Sequence, residues 1–340
     1  MVCTMPRVTA KRQRCLWFML AAAALVVGPA PAWPWGCEGH ETIALIASRQ
    51  LTPHARKMVS ELLQPSPIDP RLERSCRAAG NVFADASTWA DDVRRDQSSP
   101  LFNTGRWHFI NIPRRASSGE VGRFCRPPSG RNGPSSAGCI VGAIESQLTA
   151  LRKIGGERRR AAQALMLLIH LIGDLHQPLH CTTNNDAGGN CVPVTYFGIA
   201  PQLPPDRQED DVYQPNLHAV WDTNIVRRIA GHRGSSWFAA FLQQRFAAQM
   251  PAWQRMPIDV SAWAWESHRV AEQTAYRQLP VAIPIASPRR GVQCGEVSQK
   301  VLALHERLGQ RYQDAATPAI EEQLAKAGVR LAMVLNRLWP

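Results

Sequence analysis

Apolar residues recur at helical spacing through most of this chain. The pattern predicts helices near 40–50, 53–63, 81–91, 139–154, 158–176, 216–230, 234–248, 259–277, 297–312 and 317–338. In the last of these, Ile320, Leu324, Ala327, Leu331, Val334, Leu335 and Leu338 share one face. Pro-, Gly- and Ser-rich stretches at 113–138, 182–215 and 279–296 separate the helical runs. Loops that long inside a compact domain are functional or tied down by other bonds. Only Val192–Phe197 reads as a short strand, and no internal repeat, Gly-rich phosphate loop or sustained heptad is present. The expectation is one all-α domain with long surface loops and at most a short β-hairpin.

The N-terminus stands apart from this pattern. Arg7, Lys11, Arg12 and Arg14 precede an almost wholly apolar run, Cys15 to Val27, and Ala30-Pro31-Ala32 then offers small residues. This is the layout of a secretory signal peptide, and the run is shorter than the roughly 20 apolar residues of a spanning helix. The division expected is 1–34, signal peptide and trimmed residues, followed by one domain over 35–340. The expected location is outside the cytoplasm, periplasmic or extracellular, with no stable membrane insertion. Removing the four basic residues of the leader lowers the formal charge from +12 to +8. A basic surface draws in phosphates and anionic lipid heads but is equally that of a soluble protein. Seven cysteines follow the leader: Cys37, Cys76, Cys125, Cys139, Cys181, Cys191 and Cys294. Export permits disulfides, and an odd number leaves at least one thiol over. Cys125 with Cys139, and Cys181 with Cys191, flank loops and are candidate pairs, although connectivity stays open. None has a CxxC spacing.

The chemistry concentrates in Ile169–His180, IHLIGDLHQPLH. On a helix His170 and Asp174 face one way, and His176 lies about 240° from His170. Pro178 disfavours further helix, so His180 falls in the following turn. A second pair, His218 and Asp222 in NLHAVWD, repeats the His-x3-Asp spacing. One such pair is the spacing of an ordinary surface ion pair. Two pairs bordered by apolar residues are harder to explain that way, because burying His and Asp is costly unless they are paired or bind metal. Imidazole and carboxylate ligands suit zinc. Asp91 and Arg94 in WADDVR, and His108 in WHFIN, have the same character, although each alone fits a salt bridge or a satisfied core residue.

Taken together, WGCEGH, WADDVR, WHFIN, HLIGDLHQPLH, DAGGN and NLHAVWD resemble the zinc-dependent single-strand-specific nucleases of fungi and plants, which also cleave 3′-nucleotides. The motifs run in the family's order through most of the mature chain. The resemblance implies an all-α fold related to bacterial zinc phospholipase C, with three zinc ions. It implies that Asp91, His108, His170 and Asp174 hold one zinc, and that His180, His218 and Asp222 hold a second. The third would take His40, Asp174 and the main chain of Trp35, whose free amine and carbonyl form a chelate. This third site depends in addition on where the leader is cut. His176 falls at a position that is not a ligand. The catalytic residues implied are Arg94, which would stabilise the developing oxyanion, and Asp91 beside it. Phe109 would stack a base, and Asn111 stands where the family has an acid. Asn190 in DAGGN would contact substrate. Paired metals generate hydroxide at neutral pH, and the resemblance implies that it cleaves the P–O3′ bond, leaving 5′-phosphates.

The partners expected are single-stranded DNA and RNA and 3′-nucleotides, with no obligate protein partner and a monomeric state. Two other readings share these features: a zinc phospholipase C, which has the fold and most ligand spacings, and a non-catalytic zinc-binding protein, which would need neither Arg94 nor space for substrate. One departure from the family bears on the third zinc. Cleavage after Ala32 would leave Trp33-Pro34 ahead of Trp35 and turn its amine into an amide, a poor ligand. The chelate therefore requires a mature chain beginning at Trp35. N-terminal sequencing of the exported protein should return Trp35, and a sequence beginning at Trp33 would rule the chelate out.

Overall fold

The structure, a computed structural model, describes residues 35–102, 104–117, 119–125, 138–153, 157–203, 212–287, 294–302 and 306–340. The leader with Trp33-Pro34 lies outside the described residues. From Trp35 onward the chain is predominantly helical, which bears out the all-α expectation. The helices are α1 (Cys37–Arg49), α2 (Pro53–Leu63), α3 (Val82–Ser87), α4 (Trp89–Val93), α5 (Ile140–Arg152), α6 (Arg158–Leu175), α7 (Leu217–Ala219), α8 (Ile225–Ala230), α9 (Gly234–Arg245), α10 (Met250–Arg255), α11 (Val260–Val270), α12 (Cys294–Leu302) and α13 (Gln310–Leu338).

Local chemistry sets several starts. Thr52, Asn81, Asn216 and Asp259 accept backbone N–H bonds at the heads of α2, α3, α7 and α11, and Pro53 sits in the first turn of α2. A π turn at Val220–Asn224 joins α7 to α8. The expected helix 81–91 is two pieces, α3 and α4, broken at Thr88. The expected 297–312 helix is also divided. α12 ends at Leu302, and Arg307–Leu308 form a strand before α13 begins at Gln310. α13 begins earlier than the expected 317–338 helix and so carries Pro318 in its interior. The strand expected over Val192–Phe197 covers only Thr195–Tyr196 and pairs in parallel with Arg307–Leu308. Among the described residues the expected hairpin corresponds to the isolated antiparallel bridges Pro193–Asn216, Tyr196–Ile199 and Gln202–Gln214.

α6 is the centre of the molecule. From Ala164 to Leu175 every side chain is buried, because α1, α2, α3, α5, α11 and α13 pack around it. A helix apolar on all sides belongs in a core. This one carries His170 and Asp174 into the core with it. Two glycines permit the close approaches. A Cβ at Gly328 of α13 would stand 2.5 Å from Ile46 Cγ2 and 3.1 Å from Ile43 O of α1. A Cβ at Gly173 of α6 would stand 2.9 Å from His40 Nδ1.

Disulfides join Cys37 to Cys76, Cys125 to Cys139 and Cys191 to Cys294. The Cys125–Cys139 pairing is as expected, whereas Cys181 with Cys191 is overturned. Cys181 is a buried free thiol whose Sγ–H donates to Leu175 O at 3.3 Å, and burial pushes its pKa up, away from reactivity. Cys191 instead ties the loop after His180 to α12. Side chains bind this loop further. Asn184 holds Pro284 O and Ala286 N, and Tyr276 Oη donates to Asp186 Oδ2 at 2.7 Å. Among the described residues no helix is long and apolar enough to cross a membrane.

The α1–α13 crossing leaves no room for a side chain at residue 328. Gly328→Val should cost about 1–3 kcal/mol through overpacking, read as a lowered thermal midpoint. An unchanged midpoint would mean that the two helices separate freely.

Candidate metal centre

The site grows from the buried face of α6. His170 and Asp174 are one turn apart, and His170 Nε2 lies 3.0 Å from Asp174 Oδ2. Asp174 has no exposed surface, yet its carboxylate faces four imidazoles. His108 Nδ1 is 2.8 Å from Oδ2, His40 Nε2 is 3.2 Å from Oδ1, and His180 Nδ1 is 3.8 Å from Oδ1. His40 arrives on α1, His108 at the end of a tight turn over Thr104–His108, and His180 in another over Pro178–Cys181. Asp91 on α4 places Oδ1 3.7 Å from His108 Nδ1 and 3.8 Å from His170 Nε2. On the far side His218 Nε2 lies 3.1 Å from Asp222 Oδ2, with His180 Nε2 3.9 Å from Asp222 Oδ1.

Three sets of potential ligands emerge, the ligand atoms of each lying within 4.8 Å of one another: Asp91–His108–His170, His40–His170–Asp174 and His180–His218–Asp222. The first and third assemble residues that the sequence grouped together. The second unites His40 and Asp174, as expected, and adds His170. Trp35 is buried beside this set. Its indole Nε1–H donates to Gly173 O at 2.9 Å, and the next N–H, of Gly36, donates to Asp222 O at 2.7 Å. His176 points away from all three sets, toward Arg330.

Backbone carbonyls aim the rings. Nδ1–H donates to Ser87 O in His170, to His108 O in His180 and to Gly188 O in His218, each at 2.7 Å. A carbonyl can only accept, so each ring turns Nε2 toward the cluster, the usual support of a metal-binding histidine. Gly188 provides its carbonyl from a left-handed conformation (φ 62°), where a Cβ would stand 2.3 Å from Leu179 O. The loop DAGGN thus supports His218.

The centre is not a closed hydrogen-bond network. His40 Nδ1 and Nε2, His108 Nε2, Asp174 Oδ1 and Asp222 Oδ2 are buried without a hydrogen-bond partner. Each such atom costs about 1–3 kcal/mol. Among them His40 Nε2 and Asp174 Oδ1 face each other at 3.2 Å, and Asp222 Oδ2 faces His218 Nε2 at 3.1 Å, without hydrogen-bond geometry. The donor set therefore fits metal, and these sites could bind it. Electrostatics agree. Burial pushes the imidazoles of His108 down to about 4 and His180 down to about 3, and lowers His40, leaving all three neutral at pH 7. Burial opposes charge on His170 too, but Asp174 and Asp91 outweigh it and raise that ring to about 9. The same two carboxylates would draw a metal cation, to which His170 would give up its Nε2 proton.

Arg94 Nε donates to Asp91 Oδ1 at 3.0 Å, joining the two residues expected to be catalytic. Behind them Asp92 is held by Arg74, Ser75 and Arg95. Phe109 is half-buried and its carbonyl accepts from Ile140 N, while Asn111 is exposed. Asn190 is half-buried with its amide on Ala187 O. Among the described residues none of these three bonds to the His–Asp sets. Gln177, unremarked in sequence, caps Leu179 N and donates to Asp222 Oδ1. Its place before Pro178 was the available signal.

Comparison with known proteins comes to the same point. A family model, S1/P1 Nuclease, matches residues 35–340. Endonuclease 2 of Arabidopsis thaliana is 28% identical over 312 residues, 90% of this chain and 90% of that protein. Nuclease S1 of Aspergillus oryzae (strain ATCC 42149 / RIB 40) is 27% identical over 336 residues, 93% and 94% of the two chains. Nuclease P1 of Penicillium citrinum is 27% identical over 324 residues, 89% and 97%. These matches support a nuclease, not a lipase or a binding protein.

Gly173→Ala should press on His40 while leaving the helix intact. Metal retention after dialysis should fall about tenfold, the size of a change just outside a ligand shell. Retention equal to that of the unaltered protein would mean that His40 moves aside without loss.

Proposed function

The chain belongs to the S1/P1 nuclease family, and from that premise we propose an exported, monomeric zinc enzyme that hydrolyses single-stranded DNA and RNA to 5′-phosphate ends and also acts on 3′-nucleotides. The observation that carries the reading is the convergence of three His–Asp sets around the buried carboxylate of Asp174. The printed names of the relatives, nucleases and endonucleases over about nine-tenths of the chain, support the activity. The three disulfides and the absence of an apolar spanning helix among the described residues are compatible with export.

In this proposal Asp91, His108, His170 and Asp174 hold one zinc, His180, His218 and Asp222 a second, and His40, Asp174 and the Trp35 main chain the third. Bound zinc would supply Lewis-acid charge and an acidified water. The side chains perform the remaining work. Asp91 fixes one edge of Arg94 through Nε, which leaves the terminal guanidinium nitrogens to meet a phosphate oxygen as charge develops on it. Phe109, next in chain to His108, would stack a base. A base can reach such a platform only by leaving its own stack, which costs less in an unpaired strand. Asn111 offers both a donor and an acceptor to the base edge, and Asn190 would contact the phosphate chain.

The test combines metal analysis with digestion. Asp174→Asn should lose zinc and activity together, by at least about 10–100-fold. The unaltered protein should release 5′-nucleotides from single strands faster than from duplex, more slowly as salt rises, and release no choline phosphate from lecithin. An Asp174→Asn variant with full zinc and normal turnover would sink the assignment, and equal rates on duplex would sink the single-strand preference.

A further inference from the structure

Behind α6, on the side away from Asp174, lies a second polar network that none of the roles above uses. His176 follows the last turn of the helix and is fully buried. Its Nδ1–H donates to Ile172 O at 2.8 Å, and its Nε2 accepts from Arg330 Nη1 at 2.9 Å. Arg330 is 7% exposed; its Nη2 donates to Glu266 Oε2 at 2.6 Å, and its guanidinium lies 5.1 Å from the centre of the Trp263 ring. One turn earlier on α13, Lys326 Nζ donates to the other oxygen of Glu266 at 2.6 Å. Alongside, Ser267 Oγ donates to Leu175 O at 2.6 Å and accepts from Gln323 Nε2 at 3.1 Å. One stripe of α13 (Gln323, Lys326, Arg330) and one of α11 (Trp263, Glu266, Ser267) therefore meet at Leu175–His176.

A buried arginine costs more than an apolar side chain of the same volume, and its directional bonds are what it offers in exchange. Here they grip the point where the chain leaves α6. Asp174 lies just before that point and His180 a few residues after it, with Gln177 between them on Asp222. We propose that Arg330, acting through His176, is a positioning residue that fixes the turn 175–180 and so sets the Asp174 and His180 metal groups in register. The proposal rests on reading those groups as metal sites.

Arg330→Met keeps the apolar stem and removes both hydrogen bonds. Lys326→Met is the control, since it takes a bond from Glu266 without touching His176. Arg330→Met should lower kcat by ~10–100-fold and shed zinc to a chelator ~10–100-fold faster, with KM within about threefold. The visible bands of the cobalt-substituted protein should shift without substrate present. Lys326→Met should leave all of these unchanged. If the two variants behave alike, or Arg330→Met keeps normal kcat, metal retention and cobalt bands, the positioning role is overturned. Should Arg330→Met fail to fold, His176→Gln and His176→Leu decide. Glutamine can still accept from Arg330 and should keep kcat and metal, leucine should lose both, and equal behaviour overturns the role. An unaltered protein that takes up no metal in the same dialysis would overturn the metal reading itself.

Discussion

Asp174 is the constraint on which the remainder of the structure depends. A carboxylate with no exposed surface is prohibitively costly unless positive charge or metal meets it. Burial alone would raise its pKa, yet His170, His180 and His108 together hold it well below the ordinary carboxylate range. A helix can supply only its own one-turn neighbour, His170, so His180 comes from the turn after α6 and His108 and His40 from distant parts of the chain. The fold serves that need. α6 is buried on every side so that other segments can approach its polar face, and Gly173 keeps that face thin enough for His40 to lie against it.

The supporting layer is built mainly from backbone. Ser87, His108 and Gly188 each give a carbonyl to a histidine, and each belongs to a short, irregular segment, not to a long helix. Carbonyls inside long helices are already used by N–H groups four residues on, so spare ones occur at helix ends and in turns. This explains why α3 and α4 are short and broken, and why the DAGGN loop needs a left-handed glycine. It also explains the strapping of that loop by Cys191–Cys294, Asn184 and Tyr276, since an unsecured loop could not aim His218.

This division marks what the sequence could and could not reveal. Long helices were legible from their apolar spacing: α2, α5 and α6 fall within two residues of their expected bounds. His170 with Asp174, and His218 with Asp222, follow from spacing as well. Features that depend on distant partners were hidden. Cys191 reaches Cys294 across 103 residues, which loop-flanking logic cannot anticipate. The last helix was expected from 317, with Pro318 in its first turn, but it begins at Gln310 and runs through that proline. Arg330 carries no spacing signal at all, because it acts on a residue brought near only by the fold.

The charge balance of the proposed centre makes the last connection, from fold to substrate. Its nine ligand residues include only three carboxylates, Asp91, Asp174 and Asp222; the histidines and Trp35 add no negative charge. Three divalent ions would carry twice the charge that those carboxylates neutralise. A filled centre is therefore positive, and Arg94 adds to it at the rim. A site built for storage would be expected to balance its ions, whereas this one leaves an excess for an anion to complete. In the proposed reading a phosphodiester would supply that charge. The same aspartates that make the centre expensive to bury are few enough to keep it open to a phosphate.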